Sequence, residues 1–126
     1  MRKINKHIIH CSDSGANTTV EDIYKWHVEE NGWQAIGYHY IIYPDGSIHK
    51  GRDINIMGAH CKGNNRDSVG TCLIGRDKFT TQQLTSLQYL HNFLKMLYND
   101  SMKLHGHRDF SSKTCPNFDV HQFIKE

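Results

Sequence analysis

The stretch that most constrains how this chain folds is Val69-Gly70-Thr71-Cys72-Leu73-Ile74, a nearly continuous apolar run between polar loops. A strand with one wet face alternates apolar and polar residues, whereas a strand covered on both faces has no need to. The run therefore predicts a central strand with cover on each side. Thr80-Thr81-Gln82-Gln83 starts the longest helix, and Leu84, Leu87, Leu90, Leu94 and Leu97 give it an apolar stripe toward that strand.

The remaining elements follow from local punctuation. Ile8-Ile9-His10-Cys11 reads as a strand that leaves the sheet at Ser12-Asp13-Ser14-Gly15. Thr18-Thr19-Val20-Glu21 fits a capping box, and Val20, Ile23, Tyr24, His27 and Val28 continue at helical spacing up to Asn31-Gly32. Tyr38 to Tyr43 is rich in aromatic and β-branched residues, and Pro44-Asp45-Gly46 turns it into Ser47 to Lys50, as a hairpin would. In an extended strand Tyr38 shares a face with Tyr40 and Ile42, and His39 points to the other side. Lys103-Leu104-His105 reads as a short strand, and Phe118 to Ile124 as a last helix. Strands and helices intermix without strict alternation. The expected fold class is α/β in the mixed α+β sense: a central mixed β-sheet flanked by about three helices, in one domain over residues 1–126.

At 126 residues the chain can bury one core and hardly two. A net charge of +2, with basic residues scattered rather than striped, gives no reason to expect nucleic acid as a partner. The segment Met1 to His7 is charged and lacks the apolar stretch of a signal peptide, and no segment approaches the ~20 apolar residues needed to span a bilayer. The expectation is a soluble monomer made in the cytoplasm, with no membrane insertion. Of the four cysteines, Cys72 reads as a small buried apolar residue, and Cys11 and Cys61 have no assigned role.

Chemistry concentrates near the end of the chain. Gly106-His107-Arg108-Asp109 is followed by Lys113-Thr114-Cys115-Pro116, and His10 sits at the end of the first strand. His10, His107 and Cys115 supply two imidazoles and one thiolate. Zinc takes that mixture at tetrahedral geometry, and three protein ligands leave a fourth position for water or substrate. A closed structural site would need a fourth ligand, with Cys11 or His105 as the candidates. His105 also competes with His107, because residues two apart on an extended segment share a face. Asp109 is placed to orient a ligand histidine or to pair with Arg108.

These residues and their order resemble the zinc-dependent N-acetylmuramoyl-L-alanine amidases of type 2, the fold shared by phage amidase endolysins and peptidoglycan recognition proteins. The resemblance runs through Ile8 to Ser12, Gly37-Tyr38-His39-Tyr40, Asp45-Gly46, Gly51-Arg52, Gly58-Ala59-His60, Ser68-Val69-Gly70, Phe79-Thr80, His107-Arg108-Asp109 and Lys113 to Pro116. It implies zinc held by His10, His107 and Cys115, with Tyr38 and Lys113 as catalytic partners. It favours His107 over His105. It also implies His60 along the substrate groove, and Arg52 is a candidate for the carboxylates of the stem peptide. Peptidoglycan is then the partner, and the reaction is hydrolysis of the amide between N-acetylmuramic acid and L-alanine by a phage or prophage endolysin acting on the cell wall after release. Two alternatives share parts of this pattern: a non-catalytic peptidoglycan-binding protein of the same fold, and a hydrolase using Cys115 or Cys11 as nucleophile. Some phage enzymes of this group also inhibit a host RNA polymerase, and no surface in the sequence predicts that property.

Overall fold

A computed structural model describes residues 1–126. Five strands form one sheet in the order β3-β2-β4-β1-β5. They are β1 (Lys6–Cys11), β2 (Tyr40–Ile42), β3 (Ile48–Lys50), β4 (Ser68–Leu73) and β5 (Lys103–Gly106). Strand β1 pairs in parallel with both β4 and β5, β2 pairs in parallel with β4, and only β3 runs antiparallel, at one edge. The expected central strand is β4, and all six of its residues are buried. Parallel pairing demands long crossovers and covered faces, which is why this strand and β1 can be apolar on both sides.

Helix α1 (Val20–Tyr24) begins at a capping box one residue on from the expected Thr18 to Glu21, formed by Thr19 and Asp22. The Asp22 N–H donates to Thr19 Oγ1 at 3.2 Å, and the Thr19 N–H donates to Asp22 Oδ2 at 2.9 Å. The helical periodicity to Val28 is real, but from Lys25 to Glu30 the chain widens into a π turn rather than continuing as α. Helix α2 (Thr81–Leu97) is capped reciprocally by Thr80 and Gln83, each bond 3.0 Å long. Its buried stripe is Gln83, Leu87, Leu90, His91 and Leu94, so Leu97 lies outside it, 40% exposed. The short helix α3 (Val120–Phe123) follows Asp119, whose carboxylate accepts the His121 N–H at 3.0 Å.

Two apolar clusters cover the sheet. On the α2 side Ile9, Ile42, Val69, Leu73, Leu87, Leu90, Leu94 and Leu104 pack together, with Tyr40 against them. On the other side lie Ile23, Ile36, Ile41, Cys72 and Ile74, with Tyr38 and Tyr43 against them. Tyr38 is therefore on the face opposite to Tyr40 and Ile42. The alternation argument fails here because the strand begins only at Tyr40 and the residues before it bend. His39 likewise stays on the Tyr38 side of the sheet margin, its Nδ1 accepting the Gly70 N–H at 3.1 Å and its Nε2–H reaching the Ile56 carbonyl at 2.8 Å. The hairpin forms as expected, with Gly46 at φ +87° in its turn. No helix is long and apolar enough to cross a membrane.

Candidate metal centre and active site

Parallel strands in an open sheet end together, and clefts form where their carboxyl ends are left uncovered. Here His10 is the penultimate residue of β1, and His107 opens the single 3₁₀ turn His107–Asp109 that follows the neighbouring strand β5. Cys115 is brought back to the same place by the Arg108 N–H, which donates to the Cys115 carbonyl at 2.7 Å. As a result one nitrogen of His10, one of His107 and the Cys115 Sγ all lie within 4.8 Å of one another. His10 is buried and the other two are half-buried, so the triangle is closed at the back and open toward solvent.

The alternatives left by spacing are resolved by geometry. His105 is not one of the three: its ring packs on Phe110 with centroids 4.9 Å apart, and its Nδ1 faces Asp109 Oδ2 at 3.5 Å. Asp109 accepts the Gly106 N–H at 3.2 Å, so it fastens the turn rather than orienting His107. Cys11 is also outside the triangle, although its Sγ is 3.9 Å from the Cys115 Sγ. Its backbone N–H donates to the Cys115 Sγ at 3.3 Å, an arrangement that favours the thiolate a metal needs.

Sequence reasoning missed what holds His10. Its Nε2 lies 2.8 Å from His60 Nδ1, and His60 Nε2 lies 3.2 Å from Ser68 Oγ. His60 is buried, not a solvated loop residue, and the space for its ring is made by Gly70, where a Cβ would sit 2.5 Å from the imidazole. With each ring protonated at Nε2, His10 donates to His60 and His60 to Ser68, and His10 Nδ1 is the ring nitrogen outside that chain. This is the relation by which an outer residue fixes the tautomer and direction of a metal-binding histidine. The signal was present only as a Gly-Ala-His triplet and a glycine in a strand, and their meeting depends on the fold.

Electrostatics keeps these imidazoles neutral. Burial drives His10 well below its usual range, with His60, His107, His7 and Lys113 adding to the effect. Burial, then the charges of neighbouring groups led by His39 and His107, brings His60 down to about 3. His107 is lowered by burial and then by the Lys113 ammonium. A neutral imidazole is the form that binds a metal. Contact with Cys11 and then burial push the Cys115 thiol up, so a metal bound through this sulfur would have to displace its proton. The Tyr38 phenol is pushed well above its normal range by burial and then by the surrounding thiols, with Cys72 first. It is a neutral donor at any working pH.

Two adjoining depressions, of about 540 and 570 Å³, open from this triangle. The first holds His10, Tyr38, His107, Lys113 and Cys115, and the second extends past Trp33, Lys62 and Phe110; both are lined by His60 and Lys113. Tyr38 packs against His10 with ring centroids 5.2 Å apart. Arg52 does not line either depression. Its Nε, Nη1 and Nη2 donate to the carbonyls of Ile36, Met57 and Ala35 at 2.9, 2.9 and 3.1 Å. Three of its five N–H bonds are thus spent clamping two loops together, and Arg52 lies outside both depressions, away from where the expectation placed it.

Comparison with known proteins agrees with this geometry. The family model described as N-acetylmuramoyl-L-alanine amidase matches residues 1–118. The endolysin of Enterobacteria phage T3 is 41% identical over 122 residues, covering 89% of this chain and 80% of that protein. Peptidoglycan-recognition protein SC2 of Drosophila melanogaster is 32% identical over 126 residues, covering 92% of this chain and 66% of that protein. Among solved structures, N-acetylmuramoyl-L-alanine amidase LysC from Clostridium intestinale superposes with a TM-score of 0.88 at 32% identity, covering 98% of this chain and 88% of that one. With the strand order, the His-His-Cys triangle and these matches in agreement, the chain belongs to the N-acetylmuramoyl-L-alanine amidase family.

Proposed function

We propose that this chain is a zinc-dependent peptidoglycan hydrolase that cuts the amide between N-acetylmuramic acid and the L-alanine of the stem peptide, as an endolysin of a phage or prophage. The amidase activity follows from family membership. The observation that carries the zinc reading is the convergence of His10, His107 and Cys115 within 4.8 Å at the open end of the sheet. Two nitrogens and one sulfur with an open side suit zinc in its catalytic form.

Zinc, when bound there, supplies a Lewis acid that polarises the scissile carbonyl and lowers the pKa of water. The chain's own residues do the rest. Lys113 lines both depressions beside His10 and His107, so its ammonium is placed to stabilise the oxyanion that develops during attack on the amide. Tyr38, a neutral phenol, donates a hydrogen bond to the reacting group and is not a base. The His60 to Ser68 link holds His10 in one tautomer through the reaction. The cleft past Trp33 and Phe110 gives the muramyl peptide an apolar wall, with Lys62 for its carboxylates.

Mass spectrometry of products released from purified peptidoglycan tests this reading. Free stem peptides beginning at L-alanine, lost on chelation and restored by zinc, are the expected result. Activity indifferent to chelation would replace it with a cysteine hydrolase, and binding without release would replace it with a recognition protein.

A further inference from the structure

Cys11 is a buried thiol with no part in the hydrolysis described above. It is nevertheless held in place. Its Sγ lies 3.9 Å from the Cys115 Sγ, its N–H donates to that same sulfur at 3.3 Å, and Asn117 Nδ2 donates to the Cys11 Sγ at 3.5 Å. All four cysteines are free thiols. Cys72 is wholly buried and Cys61 lies on another loop, so Cys11 and Cys115 are the one pair in sulfur-to-sulfur contact. The two sulfurs have about 1.9 Å to close from 3.9 Å to the ~2.05 Å of a disulfide.

We propose that Cys11 and Cys115 form a reversible disulfide in the metal-free protein, and that this bond shuts the site to zinc by consuming its one sulfur ligand. The inference rests on the zinc reading above. The oxidant is a small-molecule disulfide such as oxidised glutathione. Cys115, the more accessible member of the pair, first loses its proton and then attacks one sulfur of that disulfide, giving a mixed disulfide and expelling one glutathione thiolate. Cys11 then attacks the Cys115 sulfur, forms the internal bond and expels the second thiolate. The two protons lost by the cysteines go to the two released thiols, and the two electrons leave with them. Zinc on Cys115 blocks the first attack, because the sulfur is already engaged. Reduction by a thiol reopens the site. The metal and the oxidant thus compete for one sulfur, and Cys11 decides whether oxidation ends in an internal bond that thiols can undo.

The test uses the full chain, stripped of metal and incubated with oxidised glutathione, then mapped by mass spectrometry without reduction. The expected product is the peptide pair containing Cys11 and Cys115, joined and lighter by two hydrogens. Zinc content after removal of the oxidant falls from about one ion per chain to near none, and returns after thiol reduction. Protein loaded with zinc before the oxidant shows no joined pair. In Cys11→Ala the internal bond is impossible, and a glutathione adduct on Cys115 accumulates instead. Wild-type protein that accumulates that same adduct, or that joins other cysteines, overturns the proposal. The wild-type map needs no variant to fold. If reduced, untreated protein takes up no zinc, the metal reading itself has failed; if it takes up zinc but never joins Cys11 to Cys115, only the disulfide has.

Discussion

His7 and His10 lie on the same strand, three residues apart, and face opposite sides of the sheet. Each is buried, and each meets a second histidine. His10 meets His60 at 2.8 Å. His7 meets His91 of α2 through their Nδ1 atoms at 3.0 Å, with the rings stacked 5.3 Å apart, while its Nε2 lies 2.7 Å from Thr71 Oγ1. The difference is where each chain of hydrogen bonds ends. On the His10 side it leaves one nitrogen free beside His107 and Cys115 at the wall of a cleft. On the His7 side it ends inside the core, where His91 Nε2 is buried without a partner. Neutral imidazole is favoured by burial on both faces, but it leaves a nitrogen available to a metal on one and an unpaired buried atom on the other.

The largest effect expected is on the cleft side. Cys115→Ala removes the sulfur donor, and metal analysis should find stoichiometric zinc gone along with peptide release. Full zinc content in that variant would break the triangle as described. Next, Lys113→Ala should keep zinc and lose turnover by about 10²–10³-fold, as for a single group that stabilises an oxyanion. Unchanged release rates would take Lys113 out of the mechanism. His60→Ala should weaken zinc binding by roughly 10–100-fold. His60→Asn, whose amide oxygen can stand where Nδ1 accepts, should recover part of that affinity, and equal loss in the two would mean that His60 merely fills space.

The smallest effect lies on the core side and reads in stability. Burial, then the charge of His91, holds His7 well below its usual range, and burial brings His91 down to about 4. Both folded values are below the ~6.5 of an unfolded histidine. The unfolded chain therefore binds more protons as pH falls, so the stability present above pH ~6.5 is lost progressively toward pH ~4. Thermal melts across that range should show it, and His91→Leu should flatten the dependence. A variant that melts with the same pH slope as the wild type would show that the acid response comes from the cleft histidines.

What could be read from the chain alone divides along the same lines. The apolar run of β4, the Thr80 cap and the hairpin are local signals and formed where expected, and the first helix is capped one residue later than expected, at Thr19. The convergence of His10, His107 and Cys115 was legible because few jobs suit two imidazoles and a thiolate with one open side. The pairings of His10 with His60 and of His7 with His91 span 50 and 84 residues, and no local pattern encodes them. They depend on strand register and on the space left by Gly70. Tyr38 was placed on the wrong face because its segment bends before Tyr40, and alternation holds only inside a strand. Arg52 looked free because nothing in its neighbours announces three backbone carbonyls converging on it.

The three donors also come from opposite ends of the chain. His10 is next to the end of the first strand, while His107 and Cys115 follow the last, and the contact between Cys11 and Cys115 joins residues 104 positions apart. An ion held there ties off a loop made of most of the molecule, and ties across long loops remove the most freedom from an unfolded chain. Because the unfolded chain cannot present three donors at once, the free energy of holding the ion is drawn into folding itself. On the zinc reading the same three residues would also fasten the first strand to the last, and stripping the metal should loosen the fold from its two ends inward.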